Sequence, residues 1–175
     1  MRFLFLSLMI LIAASVVVGQ SNRSVYTSLE EKSCQKLKSA TGGTDYSGRC
    51  RGVAGYNLIV EEGDLRTNIR VAPPRGAEQS LELWTIVSGG FSTVGPKAEW
   101  RMSRRNGKLI PVALIVRFNA NENPEQPNKV TSYLAVAKIT AQEICITEKI
   151  APGPKANEDA RRAADSSETK PCLKP

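Results

Sequence analysis

The chain has 175 residues, 24 Lys and Arg against 17 Asp and Glu, a formal net charge of +7, and no histidine. Without histidine, Ser-His-Asp and Cys-His catalysis, His-ligated metals and His proton shuttles are all excluded. The basic surplus permits weak attraction to anionic lipid, polysaccharide or nucleic acid without selecting among them, and solubility alone accounts for it.

Residues 1–19 carry one charge, Arg2, then an apolar run from Phe3 to Val18 that ends in small residues. This order predicts a secretory signal cleaved before Gln20. The alternative, an uncleaved anchor, needs roughly 20 apolar residues, slightly more than the run supplies. No cysteine follows the run to take a lipid, and no later stretch approaches spanning length. Residues 20–175 are therefore expected to form a single β-rich domain of about 155 residues, enough for a sizeable core.

Four cysteines, Cys34, Cys50, Cys145 and Cys172, follow the signal. An even count in an exported chain predicts disulfides. Of three possible pairings the local ones, Cys34–Cys50 and Cys145–Cys172, are preferred because each staples a terminal segment to its neighbour. Zinc is the lesser reading, since neither CxxC spacing nor histidine is present. No metal or other cofactor is expected, and paired cysteines leave no thiol nucleophile.

Residues 24–37 mix strand-like and helix-like positions and stay open. SATGGTDYSGRCRG (39–52) is expected as a loop, and it lacks the Gly-Lys-Ser/Thr ending of a phosphate-binding loop. YNLIV and LRTNIRV around EEGD predict a hairpin. SLELWTIV (80–87) alternates like a strand, with a short helix as the alternative, and SGGFSTVGP reads as a loop. In AEWRMS (98–103), Ala98, Trp100 and Met102 share one side and Glu99 and Arg101 the exposed one. Asn106-Gly107 predicts a type I′ hairpin turn. The return strand LIPVALIVRF (109–118) is apolar enough to be buried on both faces, with Pro111 near its start or at a bulge. NANENPEQPNK reads as a surface loop, and residues 130–140 and 143–150 as two further strands. Residues 156–167 have a helix pattern with Asn157 as N-cap and Glu158 and Asp159 in the first turn. The expected fold is mainly β or small α+β: an antiparallel sandwich or partly open barrel of about six to seven strands, with a short C-terminal helix and two disulfides.

Candidate chemistry is sparse. Glu61, Glu62 and Asp64, with Asp45, are the acidic residues a carboxylate hydrolase would use, but adjacent carboxylates on a turn lack the two different environments that mechanism needs. Ser33-x-x-Lys36 matches a Ser-Lys spacing by chance in polar sequence, and Ser132 lies six residues before Lys138. The basic residues Arg49, Arg51, Arg66, Arg70, Arg101, Arg104, Arg105 and Lys108 form a candidate anion-binding patch if their faces coincide. Against it, Lys and Arg also protect strand edges from aggregation. Trp84, Phe91 and Trp100 are candidate groove aromatics, Trp100 being expected in the core. Asn22-Arg23-Ser24 is a sequon, meaningful only in a eukaryotic host.

The strings SVYTSLEEKSC, GVAGYNLIVEEGDLR, AEWRMS, ALIVRFNANENPE, YLAVAKI and TKPCL together resemble a family of small secreted or periplasmic bacterial proteins of uncharacterised function, across most of the chain after the signal. The resemblance implies a bacterial, extracytoplasmic home and carries no site residues. The functional expectation is a non-enzymatic extracytoplasmic domain that binds an anionic envelope polymer or a protein, with no nucleic-acid partner. A carboxylate hydrolase and an envelope-stability or assembly factor are the alternatives.

Overall fold

Trp100, which alternates with Glu99 and Arg101 in the sequence, has no solvent exposure in the computed structural model, which describes residues 22–37, 46–126 and 128–175. At 25 cal/mol per Å2, burying roughly 200 Å2 of indole surface stabilises the fold by about 5 kcal/mol, an upper bound. Its Nε1–H donates to Thr27 Oγ1 at 2.9 Å, so the one polar atom is satisfied.

The described residues form two antiparallel five-stranded sheets. The first runs β1 (Arg23–Ser28), β7 (Phe91–Arg105), β8 (Lys108–Asn121), β9 (Thr131–Ile139) and β10 (Ile144–Ile150) in spatial order. The second runs β2 (Cys34–Lys36), β3 (Tyr46–Arg51), β4 (Asn57–Gly63), β5 (Arg66–Ala72) and β6 (Gln79–Ser80). Leu58, Val60, Ile69 and Val71 of the second sheet pack with Trp100, Leu114, Val116 and Phe118 of the first in one core, so period-two alternation in both sheets faces a common interior. One corner is joined: Ser92 N–H donates to Leu65 O at 2.9 Å where β7 starts at the edge of β5.

The outer face of the first sheet is covered by α2 (Ala156–Asp165). Ala160, Ala163 and Ala164 seat it closely on Ala113, Ile115, Leu134 and Val136. That is why 109–118 is apolar on both faces. Both disulfides pair locally, Cys34 with Cys50 across β2 and β3, and Cys145 on β10 with Cys172. They indicate an oxidising, extracytoplasmic environment. No helix among the described residues is long and apolar enough to cross a membrane.

The hairpin turn is as expected: Asn106 and Gly107 both have positive φ, and Pro111 lies opposite Met102 at a register shift. Several expectations are corrected. The strand count rises to ten because β1 and β3 form in segments that read as open or as loop, and β2 and β6 are only three and two residues long, too short to leave a pattern. Residues 24–37 become β1, one 3-10 turn at Glu31–Ser33, and β2. Tyr46–Arg51 is strand rather than loop, and residues 38–45, with Asp45, lie outside the described residues, as does the signal at 1–19. SLELWTIV gives β6 and one helical turn, α1 (Leu83–Ile86), because Glu82 takes a left-handed conformation and Asn68 Oδ1 accepts the Leu83 N–H at 3.1 Å. SGGFSTVGP is mostly the start of β7. Two of its glycines serve close approach: a Cβ on Gly90 would sit 1.9 Å from the Asn121 carbonyl oxygen, and one on Gly95 would press on Arg117. Lys155, not Asn157, occupies the N-cap position of α2, with no side-chain capping bond; Asn157 lies in the first turn and accepts from Arg117 at 3.4 Å.

Candidate functional site

The eight basic residues do not share a surface. On the outer face of the second sheet, Arg49 and Arg70 flank Ile59 in register and cover it completely. Glu78 binds both, at 3.1 and 2.8 Å, and Glu61 binds Arg70 at 2.8 Å. Arg51 follows on the same strand face, exposed and without an ion pair among the described residues. Arg66 shares the Arg70 face, as their spacing of four predicts, but is held by Asp64 and donates to Gly89 O at 3.1 Å.

Arg101, Arg104, Arg105 and Lys108 belong to the first sheet instead. Arg101 was expected on an exposed face and is 7% exposed. Its face is the one α2 covers: the guanidinium grips Asp165 with two bonds of 2.8 Å and also donates to Asn22 O at 3.0 Å. Beside it Glu99 accepts from Arg161 at 2.7 and 3.1 Å. Burial works to raise the Glu99 and Asp165 carboxyls, but the bonds from Arg161 and Ser24 to Glu99, and from Arg101 and Asn22 to Asp165, outweigh it and hold both below the usual range. Register places Arg101, Ala113, Lys138 and Cys145 in one row across four strands. Lys138 donates to Lys170 O at 2.9 Å, and Cys145 carries the second disulfide. The whole row tethers the C-terminal segment. Arg105 pairs with Glu168, Arg104 donates to Gly107 O at 3.0 Å, and Lys108 has no ion pair among the described residues.

The other sequence candidates are equally dispersed. Glu61 and Glu62 point to opposite faces of β4, and Asp64 sits on the turn against Arg66, so these three carboxylates do not converge. Ser132 bonds Asn119 and Arg117, about 20 Å along β9 from Lys138. Ser33 accepts from Ser28, and Lys36 is exposed. Among the described residues the one cluster of ligand-type side chains is Glu143, Cys145 and Cys172, and its two sulfurs are in the disulfide. Asn22 of the sequon donates to Asp165 at 2.9 Å.

What the fold does assemble is a groove of about 390 Å3 at the end where β4 turns into β5 and β8 into the loop before β9. Leu65, Phe91 and Val130 line it and are 68%, 51% and 55% exposed. Arg66 lies over the Phe91 ring at 5.4 Å, and Glu62, Thr93 and Asn119 supply polar edges. Asp64 and Leu65, the two turn residues, both have positive φ. That conformation suits Gly or Asn; a leucine there is strained and leaves most of its surface in water. Phe91 was anticipated as a groove aromatic. Leu65 and Val130 were not, although a leucine directly after Gly-Asp at a hairpin turn is a readable signal. No protein-family model, curated protein or solved structure matches the chain.

Proposed function

We propose that this is an exported bacterial protein, related to small secreted or periplasmic proteins, that acts without catalysis by binding another protein through the Leu65–Phe91–Val130 groove. The observation that carries this reading is the cluster of three large apolar side chains held exposed around one hollow, one of them on a strained turn. Apolar patches rimmed by polar groups suit protein partners. The lining has one guanidinium, Arg66, and one carboxylate, Glu62, so it suits an apolar side chain flanked by neutral or mixed polar groups. A polyanionic envelope polymer is less well served, since Arg49, Arg66, Arg70 and Arg101 each hold a carboxylate of this chain.

A photo-crosslinking residue at Val130, installed in the exporting cell, is expected to trap one protein of discrete mass. The purified partner should then bind the wild-type chain, and Phe91→Asp should weaken binding at least tenfold with the circular dichroism unchanged. Crosslinks confined to a second copy of this chain, or binding indifferent to Phe91→Asp, would refute the reading. So would retention on an anionic polysaccharide that is lost on neutralising Arg49 and Arg51.

A further inference from the structure

At the opposite ends of β4 and β8 the fold forms a second cleft of about 750 Å3. Ile110, Pro111 and Val112 line it from β8, Tyr56 and Pro74 from the loops just before β4 and just after β5, and Arg105 and Lys138 bring two cations into it. We propose that this cleft binds a small amphipathic monocarboxylate, with Arg105 taking the carboxylate and the apolar body lying between Ile110–Val112 and Pro74.

The cleft would take its anion by exchange. Arg105 is held in a two-bond fork by Glu168, and both side chains are about half exposed, 47% and 54%. An exposed ion pair contributes little, so another carboxylate can replace Glu168 in the same fork at small cost. Its apolar body then gains the walls, which Glu168 cannot use. Lys138, only 5% exposed, keeps Glu143 and the Lys170 carbonyl. Two cations matched by two carboxylates leave room to exchange one anion; a dianion would have to displace both. Lys108 lies directly opposite Arg105 on the hairpin and projects to the same side, and with no ion pair among the described residues it tips the local balance positive. The site is independent of the protein-binding groove.

Octanoate and its neutral counterpart octanamide test this on the oxidised chain by calorimetry and amide-shift mapping. Octanoate is expected to bind at least tenfold more tightly, with shifts at Ile110 and Thr140. Arg105→Gln should lose at least tenfold. Glu168→Gln, which removes the internal competitor, should strengthen binding several-fold, a gain that a damaged fold cannot produce. Absence of octanoate binding at millimolar concentration would overturn the proposal. Equal binding of octanamide, an Arg105→Gln affinity within twofold of wild type, weakened binding in Glu168→Gln, or shifts centred on Phe91 would each do the same.

Discussion

Replacing Arg101 with methionine separates a structural guanidinium from a ligand-binding one. Methionine keeps most of the apolar stem and removes four donated bonds: two to Asp165, one to Asn22 O and one to Ser24 Oγ. Truncating one partner of a buried ion pair costs roughly 3–5 kcal/mol. Here Asp165 keeps 37% of its side-chain surface in water and can rehydrate, while Glu99 retains Arg161. The expected loss is therefore lower, about 3 kcal/mol, or roughly 6–12 °C in Tm for a domain of this size. Urea unfolding followed by the fluorescence of Trp84 and Trp100, with disulfides intact, measures it. If the loss arises from the Asp165 contact, the same substitution in an Asp165→Asn background should cost about 1–2 kcal/mol less. A loss under about 0.5 kcal/mol, or equal losses in both backgrounds, would refute the tether and return Arg101 to the list of available cations.

The same carboxylates set the acid stability of the fold. Glu99 and Asp165 have lowered folded-state values, so their stabilisation is complete above the unfolded carboxylate range and is lost as pH falls through the lower folded ones. Unfolding free energy should hold between about pH 7 and 5 and fall below about pH 4, with a shallower fall in Asp165→Asn; a flat profile down to pH 2 would contradict the assignment. Replacing Cys145 and Cys172 together with serine opens a loop with a sequence separation of 27, worth about 3.5 kcal/mol in the chain-entropy model. Hydrogen exchange should then quicken in α2 before it does in β8, since the C-terminal tether is lost while the sheet core stays intact.

The residues alone determined the β class, the hairpin at Asn106-Gly107, the buried side of Ala98, Trp100 and Met102, and the local disulfide pairs. These follow from two-residue alternation, from a turn needing two positive φ angles, and from the short spacing between cysteines. They are local rules, readable one segment at a time. Tertiary structure decided what lay on the other side of each strand. Arg101 and Glu99 had the alternation of a solvent face, and only the docking of α2, far along the chain, turned that face into an interior that demands paired charges. Gly90 and Gly95 had the composition of a loop, and only the approach of Asn121 and Arg117 on β8 left no room for a Cβ at either, one just before β7 and the other within it. The eight cations were one list in sequence; the fold divided them between two sheets and gave five of them carboxylates, because an ion pair depends on distance in space and not along the chain. The groove is the same case, since Leu65, Phe91 and Val130 come from three separate segments that meet only where the two sheets join.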